Sequence, residues 1–457
     1  MPRITILGAG ISGLATAWFL KQRLGPQISL MIIEKNPRTG GWIQTLQTDG
    51  FLFEQGPRSC RTRGGEDTLT LIEALGLQEQ VIHPHPDAKT RYLFDGQQLK
   101  RLPQHLWEVP FNSLTRGWLK ALWRDGVMPR RQAEDESIHA FFSRRLGISW
   151  TENLIDPFVS GIYAGNCQRL SLKSCFPLLD QWERQAGSLL FGAWRHRSIA
   201  KEQSPFVQKM RRFPLFSFRE GMETLPRTLT HHLQDCLSLG QAVKCLNLKK
   251  GKIEIELEQG QCLVPHHVIS TLPIPALRSL LAAYPSIATK LDQLPYASLA
   301  VINIGFSQPV LPHKGFGYLI PSRCGMQVLG CVWDSCIFPQ QNQKNQTRLT
   351  LMMGGSHHPE IEAMSEAELI ECALQVLRQH LNIQADPQII QIKRAHQAIP
   401  QFEVGHSIWK QEVQEAINRL CPHLTLSGSA WTGVSLNDCI AQAHHLAEKI
   451  SLQISNS

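Results

Sequence analysis

The sequence predicts an α/β fold in which a parallel sheet near the N-terminus is combined with a separate antiparallel sheet. A β-rich run, Arg3–Leu7, is followed by a glycine-rich turn, an apolar stretch over Ile11–Leu24 and a second β-rich run over Ile28–Ile33. This order is typical of a βαβ unit with parallel strands. Four further β-rich runs, separated by turn residues, lie between positions 299 and 355 and predict antiparallel strands.

The first twenty residues allow two interpretations. The stretch Ile4–Leu20 carries no charge and follows Arg3, as in the apolar core of a signal peptide, and Ala15-Thr16-Ala17 resembles a cleavage site. A signal peptide does not explain the glycine spacing or the two flanking β-rich runs, so we expect a strand, a turn and a helix instead. No other apolar stretch approaches the ~18 residues that cross a membrane, and we predict neither a signal peptide nor a transmembrane helix.

The glycines after the first strand have separable physical reasons. Gly8 permits a tight turn, Gly10 lets the backbone approach a pyrophosphate, and Gly13 lets the helix pack close to the sheet. The helix N-terminus then stabilises the phosphates. Glu34, at the end of the second strand, can bind ribose hydroxyls. This pattern predicts FAD or NAD binding, with the following candidate contacts: Gly8, Ala9, Gly10, Ser12, Gly13, Glu34 and Lys35.

The residues after Glu34 favour FAD. The stretch Arg38-Thr-Gly40-Gly41-Trp42 resembles the RxGG extension of FAD-dependent amine-oxidase-type flavoproteins, which lies along the flavin side of the cofactor. The stretch Phe53–Ser59 resembles the loop that passes the isoalloxazine ring. The resemblance adds these candidate contacts: Gly41, Trp42, Gly56, Pro57, Arg58 and Ser59.

Two later motifs are more specific. They are Gly161-Ile-Tyr-Ala-Gly165-Asn166 and the ending Gly433-Val-Ser-Leu-Asn437-Asp438-Cys-Ile. Together with the earlier segments, in order along nearly the whole chain, they resemble the FAD-dependent, oxygen-dependent protoporphyrinogen oxidase family, which includes coproporphyrinogen oxidases. The resemblance implies an amine-oxidase-like flavoprotein with a Rossmann-type FAD-binding domain, an antiparallel-sheet substrate domain and a helical insertion. Amine oxidases commonly carry a cysteine near this C-terminal motif that bonds the flavin covalently. Because Cys439 lies past the turn, on the predicted helix, we expect the FAD to be bound non-covalently.

This fold divides the chain into discontinuous parts. We predict FAD-binding segments at 1–85, 217–275 and 420–457, substrate-domain segments at 86–92 and 276–419, and a helical section at 93–216. In the FAD-binding part we expect a half-exposed strand over Lys252–Glu258, short strands at Val268–Pro273 and Leu424–Gly428, and a helix over Asn437–Ile450 capped by Asn437 or Asp438. The remaining candidate cofactor contacts are Val243, Gly428, Val434 and Ser435.

The resemblance also implies the reaction. The family oxidises protoporphyrinogen IX to protoporphyrin IX, passing six electrons through FAD to dioxygen with release of hydrogen peroxide. Coproporphyrinogen III, which carries two further carboxylates, stays open as the alternative substrate. No catalytic base stands out in the sequence, which fits chemistry in which the flavin accepts the hydride and the protein positions the donor.

A porphyrinogen needs a broad apolar slot and one or two cations for its carboxylates. Arg91 matches the family arginine that pairs with a propionate, and a guanidinium can hold that group through two parallel hydrogen bonds. The resemblance places the apolar wall at Tyr92, Leu319, Val332 and Met352. It also assigns Gly165 to the pocket, where a missing side chain would leave room for the macrocycle.

Composition restricts the partners. The net charge of +8 suits anionic substrates or an anionic membrane surface, and no run of five or six Lys or Arg points to nucleic acid. Twelve cysteines without a CxxC motif indicate free thiols in a reducing compartment, so we expect a cytoplasmic protein. Four His-His pairs lie outside an HxxxH or HExxH frame, and no metal is expected.

The section 93–216 leaves a question open. Its tryptophans mixed with cations, as in Pro103–Asp125, suit a membrane interface, but they also suit an ordinary helical layer with Trp in the core. The family resemblance favours peripheral attachment to the inner face of the membrane. The sequence does not fix the oligomeric state, and it permits a homodimer.

Overall fold

The structure is a computed structural model of the 457-residue chain. It describes residues 1–129, 131, 133–195, 204–249, 251–343 and 345–455.

The strands of the described residues form two large sheets and three small ones. In chain order they are β1 (Arg3–Leu7), β2 (Ser29–Glu34), β3 (Thr45–Thr48), β4 (Phe51–Glu54), β5 (Cys60–Arg61), β6 (Val81–Ile82), β7 (Tyr92–Phe94), β8 (Leu99–Arg101), β9 (Leu215–Phe218), β10 (Leu237–Leu239), β11 (Val243–Lys249), β12 (Lys252–Leu257), β13 (Cys262–Leu263), β14 (His267–Ser270), β15 (Tyr296–Phe306), β16 (Gly317–Leu319), β17 (Val328–Val332), β18 (Thr347–Gly354), β19 (Ile389–Pro400) and β20 (Leu424–Leu426).

The helices of the same residues cover the sheets and build a separate helical section. They are α1 (Ile11–Leu24), α2 (Glu66–Ala74), α3 (Trp118–Val127), α4 (Ile138–Arg145), α5 (Ile148–Trp150), α6 (Asp156–Tyr163), α7 (Leu172–Cys175), α8 (Pro177–Ala186), α9 (Leu189–Arg195), α10 (Pro205–Met210), α11 (Thr224–His232), α12 (Ile274–Leu280), α13 (Pro285–Leu291), α14 (Asp334–Ile337), α15 (Glu366–Leu381), α16 (His406–Leu420) and α17 (Leu436–Ser455). None of them combines the length and the hydropathy that a bilayer crossing requires.

The parallel sheet has the strand order β10-β2-β1-β14-β20, and every pair in it is parallel. Strands β1, β14 and β20 are largely buried, which explains their nearly continuous apolar runs, whereas β2 and β10 at one side of the sheet are partly exposed. Ile6 packs with α1 and α17 on one face, whereas Leu7 packs with α12, α13 and α16 on the other. The predicted βαβ unit and the predicted strands at 268 and 424 are confirmed.

The last helix begins with a cap that differs from the prediction. Ser435 Oγ accepts a hydrogen bond from the Asp438 N–H at 3.2 Å, and the Asp438 carboxylate accepts from the Ser435 N–H at 3.2 Å. This reciprocal pair is a capping box, so the capping residue is Ser435. The prediction that Asn437 or Asp438 caps the helix is wrong, because the chain becomes helical before either residue.

The second large sheet has the order β19-β15-β18-β17-β16-β7-β8. The four predicted runs form β15 to β18, which pair antiparallel with one another as expected. Strand β7 joins them parallel to β16, and β8 pairs antiparallel with β7. The sheet therefore continues to Arg101, and the predicted boundary at residue 93 cuts through β7.

The half-exposed strand predicted over Lys252–Glu258 is β12. It pairs with β11 and β13 in a small antiparallel sheet, and buried residues alternate with partly exposed ones along it. Its buried side chains Ile253 and Ile255 pack under the parallel sheet. The period-two pattern of the sequence is therefore the pattern of burial.

The helical section is built around a buried ion pair. The Arg145 side chain is 0% exposed and donates to Glu183 Oε1 from Nε at 2.9 Å. Its Nη1 also donates to the carbonyl oxygens of Asp125 and Gly187. Because a buried guanidinium is tolerated only when it is paired and hydrogen-bonded, this group holds α3, α4 and α8 together.

Candidate functional site

The glycine-rich turn has the geometry that its sequence predicts. Gly8 adopts φ +98°, a conformation that favours glycine. A Cβ on Gly13 would lie 2.0 Å from the Gly8 carbonyl oxygen, so only glycine permits α1 to pack this close to β1. Gly10 faces the loop of residues 38–42, called the second loop below. A Cβ on Gly41 in that loop would lie 3.2 Å from the Gly10 Cα. Backbone thus approaches backbone at the N-terminus of α1, next to Ala9 and Ser12.

Glu34 ends β2 beside this turn. Its Oε2 accepts from the Ala9 N–H at 2.9 Å, and its Oε1 accepts from the Asn36 N–H at 2.9 Å. These bonds fix the carboxylate at the carboxyl end of the sheet, where nucleotides bind in such folds. Lys35 follows with an exposed side chain. Val243 begins β11 two residues after Gln241, whose N–H donates to the Glu34 carbonyl, so it also lies near this end.

The second loop is organised by Arg38, which is not among the predicted cofactor contacts. Arg38 donates from Nη1 to the Thr39 carbonyl at 2.9 Å and from Nη2 to the Gly41 carbonyl at 2.6 Å. These bonds hold Gly41 at φ +59°. Trp42 is 41% exposed beside the glycine cradle, the name used here for the Gly8–Gly13 turn together with Glu34. The signal for Arg38 was present in the RxGG pattern, but only the structure shows its partners.

The 55–59 turn lies against this loop. A Cβ on Gly56 would lie 2.0 Å from the Trp42 carbonyl oxygen, so the two segments touch through their backbones. Pro57 is exposed and Ser59 half-buried on the same turn. The Nη1 atom of Arg58 is buried and has no hydrogen-bond partner. A buried guanidinium nitrogen needs an acceptor, and a group bound at this turn would supply one.

The C-terminal segment returns to the same end of the sheet. Gly428 follows β20 with φ +106°, and its N–H donates to Gln442 Oε1 at 2.9 Å. A Cβ there would lie 3.3 Å from the Thr271 carbonyl oxygen, next to the Gly8 turn. Val434 and Ser435 are half-buried and lead into α17. Three predicted segments, from three parts of the chain, therefore meet at the carboxyl ends of the parallel strands.

An apolar cleft lies between α6 and the second large sheet. Three of the predicted wall residues, Leu319, Val332 and Met352, line it. The sequence did not identify Gly161, Leu329 and Ile399, which line it as well. Gly161 belongs to the quoted GIYAGN motif, and a Cβ on it would lie 2.8 Å from Leu319 Cδ2. Glycine at this position therefore keeps α6 close to the sheet and adds no side chain to the cleft.

Helix α6 is held at both ends. Asp156 Oδ2 accepts from the Ser322 N–H and from Ser322 Oγ, both at 2.8 Å. At the other end, the Ala164 carbonyl accepts from the Ser356 N–H at 2.7 Å. Ser322 follows β16 and Ser356 follows β18, so the helix and the sheet form a cleft of fixed width.

Tyr92 lies apart from the other wall residues. Its register partner in β16 is Tyr318, whereas the partner of Leu93 is Leu319. Since successive residues of a strand point to opposite faces, Tyr92 shares a face with Tyr318 and not with Leu319. Its ring lies 5.3 Å from that of Trp333, in the core beneath α15.

Gly165 has a packing reason of its own. A Cβ there would lie 2.3 Å from Gln401 Oε1 and 2.7 Å from Leu170 Cδ1. The space beside Gly165 is therefore filled by the protein, and Gly161 is the glycine of this motif that borders the cleft. The expectation that Gly165 leaves room for a macrocycle does not agree with this packing.

Arg91 lies immediately before β7, outside the cleft lining but next to it, because Phe316, on which it stacks, packs with the lining residue Val332. Its guanidinium stacks 5.1 Å above the ring of Phe316, which packs with Val332 against one small cluster. The side chain is open to solvent on one side, and partial desolvation lowers the pKa of Arg91. Because a guanidinium stays charged in proteins, Arg91 offers a cation beside an apolar wall.

A glycine cradle at the carboxyl ends of parallel strands, combined with an apolar cleft on a second, largely antiparallel sheet, defines a Rossmann-type flavoprotein oxidoreductase. The comparison with known proteins agrees. The chain belongs to the flavin containing amine oxidoreductase family, which matches residues 11–451, and within it to the protoporphyrinogen oxidase group. It is an FAD-dependent oxidoreductase, and the close backbone contacts of the cradle and the free Nη1 of Arg58 fit that cofactor.

The similarity covers nearly the whole chain. Protoporphyrinogen oxidase from Bos taurus is 34% identical, with 98% of each chain covered. Coproporphyrinogen III oxidase from Bacillus subtilis is 29% identical, with 96% of each covered. A crystal structure from Exiguobacterium sp. 255-15, provisionally named a protoporphyrinogen oxidase, superposes with a TM-score of 0.85 at 26% identity and 99% coverage of both chains.

Proposed function

We propose that this enzyme oxidises protoporphyrinogen IX to protoporphyrin IX in haem biosynthesis, with dioxygen as the electron acceptor. The observation that carries the proposal is the apolar cleft between α6 and the sheet, with a single assigned cation, Arg91, at its margin. The apolar lining matches the chemistry of an apolar macrocycle, and a guanidinium matches that of a propionate. The protoporphyrinogen oxidase from Bos taurus, similar over its whole length, supports this substrate.

The residues of the site bind and orient; bound FAD supplies the electron acceptor. The cradle around Gly8, Gly13 and Glu34 would hold its adenosine and phosphate half, and the 55–59 turn its ring system. Among the described residues that line the cleft there is no Asp, Glu, His, Lys or Arg. Tyr318 and Cys331 also border the cleft, but both side chains are buried in the core of the sheet, and burial raises the pKa of both groups. The apolar cleft therefore offers a surface for the substrate but no base of its own.

The alternative substrate is coproporphyrinogen III. The Bacillus subtilis relative named for that substrate is 29% identical to this chain. The two additional carboxylates of coproporphyrinogen III need additional cations, because an unpaired carboxylate in an apolar site is costly. The described lining offers no cation beyond the nearby Arg91, so the substrate with fewer carboxylates, protoporphyrinogen, is favoured.

The proposal is tested by turnover of both porphyrinogens with the purified, FAD-loaded protein in air. We expect porphyrin fluorescence and hydrogen peroxide to appear, with kcat/KM for protoporphyrinogen IX at least roughly tenfold higher. Heat-inactivated protein corrects for autoxidation. A preference for coproporphyrinogen III would establish the alternative, and turnover of neither by protein with bound FAD would refute both.

We also propose that the enzyme attaches peripherally to an anionic membrane. An apolar patch, formed by Leu119, Leu122, Trp123, Leu190, Phe191 and Trp194, is exposed on α3 and α9. The positions 119, 122 and 123 follow helical spacing, so they form one stripe on α3. Asp125 joins the two helices, because its carboxylate accepts from the N–H groups of Leu189 and Leu190 at 3.2 Å. Exposed Arg116 and Lys120 flank the stripe, as in interfacial helices.

A vesicle assay separates this surface from ordinary exposed apolar residues. In the double variant Trp123→Ser/Trp194→Ser we expect sedimentation with phosphatidylglycerol vesicles to fall at least roughly tenfold, because each indole buried in the interface stabilises binding. The control is Val404→Ser/Ile408→Ser, which removes two apolar side chains, 51% and 54% exposed, elsewhere. Equal binding of wild type and the tryptophan variant would contradict the proposal.

A further inference from the structure

Glu54 is a buried carboxyl group to which no role has been assigned so far. It ends β4 with 6% exposure and directly precedes the 55–59 turn. Its Oε1 accepts from the Met222 N–H at 2.7 Å, and its Oε2 accepts from Thr45 Oγ1 at 2.9 Å. Its carbonyl accepts from Asn303 Nδ2, on β15, at 3.2 Å. One residue thus joins the β3–β4 hairpin, the 221–223 turn and the second large sheet.

Two guanidinium groups lie near this carboxyl. Arg348, on β18, is 2% exposed, and its charge acts on Glu54 together with that of Arg58. The hydrogen bonds of Arg348 go to neutral groups: the carbonyls of Leu52 and Phe338 and the side chains of Asn342 and Gln341. A buried cation with neutral partners needs a counter-charge nearby, and the carboxylates of Glu54 and Asp334 supply it.

Arg58 is the link to the cofactor. Its Nη1 is buried without a partner, on the turn that we assign to the flavin ring. The ionised carboxylate of Glu54 attracts this guanidinium, so the charge at position 54 influences both the placement and the net charge of the turn. A second carboxylate, that of Glu223, also contacts the Glu54 network, since it accepts from the Thr45 N–H at 2.9 Å.

We propose that Glu54 is a positioning residue for the flavin, and that its negative charge, balanced against Arg58 and Arg348, lowers the reduction potential of the bound FAD. The inference rests on the proposed function only in placing the ring beside the 55–59 turn. A negative charge near the flavin disfavours the electrons that reduction adds. Glu54 therefore makes the flavin a weaker oxidant that dioxygen reoxidises more readily.

The proposal predicts a pH dependence. Burial raises the pKa of Glu54 to about 7, although the Met222 N–H, the Thr45 hydroxyl and the two guanidinium groups act in the opposite direction. The carboxyl is then mostly neutral below neutral pH and mostly ionised above it. The influence of Glu54 on the flavin should be absent at acidic pH and present at alkaline pH.

The test is the midpoint potential of bound FAD, measured against reference dyes without porphyrinogen, in wild type and Glu54→Gln. Glutamine keeps an acceptor for Met222 and a group that reaches Thr45, but it carries no charge. At about pH 8.5 we expect reduction of the variant to be favoured roughly tenfold over wild type, and at about pH 5.5 less than roughly twofold. A difference that is absent, or equal at both pH values, would overturn the proposal.

Two further variants keep the outcome decisive. Glu223→Gln is the matched control, since it removes a carboxylate from the same turn, and we expect no pH-dependent difference from wild type. If Glu54→Gln does not retain FAD, Thr45→Val replaces it. Loss of the Thr45 hydroxyl raises the pKa of Glu54 further, so the step in the potential should move to higher pH. An unmoved step would contradict the role of Glu54, whereas absent turnover would bear only on the substrate.

Discussion

Alanine in place of Gly13 is expected to yield a protein without FAD. The added Cβ would lie 2.0 Å from the Gly8 carbonyl oxygen and 3.0 Å from Thr271 Oγ1. Neither the backbone of the turn nor the Thr271 hydroxyl, which donates to the Leu7 carbonyl, can withdraw without loss of structure. Helix α1 must therefore move away from β1, and its N-terminus leaves the phosphate position. Overpacking of a close contact costs about 3 kcal/mol at the upper end of its usual range. We therefore expect FAD affinity to fall roughly a hundredfold.

The measurement is the ratio of visible flavin absorbance to protein absorbance after desalting, followed by titration with free FAD. Gly126→Ala is the matched control, because Gly126 also lies inside a helix and has open space where a Cβ would point. There alanine should leave FAD binding unchanged and stabilise the helix by up to ~1 kcal/mol. A yellow Gly13→Ala protein with wild-type affinity would show that α1 tolerates the shift.

The features that the sequence predicted well depend on local pattern. The glycines at 8, 10 and 13 and the acid at 34 belong to one βαβ unit, so their spacing along the chain determines their spacing in the fold. The strand β12 and the runs β15 to β18 follow from alternation and turn residues. The family resemblance supplied the order of these strands and turns. Each of them was also predicted by the pattern of its own residues.

The features that the sequence did not predict depend on contacts between segments that are distant along the chain. Tyr92 meets Tyr318 because β7 inserts parallel to β16, and a shift of one residue would place it in the cleft. No pattern near position 92 encodes that register. In the same way, the space beside Gly165 is filled by Gln401, more than two hundred residues away in the chain. The Glu54 carboxylate likewise accepts a hydrogen bond from Met222, in another segment. Side chains whose partners come from elsewhere in the chain need the assembled fold.

Replacement of Arg91 by alanine is expected to raise KM for protoporphyrinogen IX by roughly 10- to 100-fold, with little change in kcat and full retention of FAD. A charge-assisted hydrogen bond to a carboxylate contributes about 1.5–3 kcal/mol, which corresponds to that range. Arg91 lies at the margin of the cleft and outside the cradle, so its loss weakens substrate and transition state alike. Steady-state kinetics, with flavin content measured on the same samples, gives both constants.

Two variants separate the role of Arg91 from a general loss of positive charge. Arg91→Lys keeps the charge but not the two-pronged geometry, and we expect it to restore KM only in part. Arg101→Ala removes a guanidinium from β8, next to Tyr92 in register and paired with Glu108 at 3.1 Å, and it should leave KM near the wild-type value. If Arg101→Ala raised KM as much as Arg91→Ala, the effect would come from the long-range field of this face. If Arg91→Ala lowered kcat at unchanged KM, the guanidinium would act on the reacting part of the substrate and not on its carboxylate. Because these two outcomes differ in the constant that moves, kinetics alone distinguishes propionate binding at the cleft margin from both alternatives.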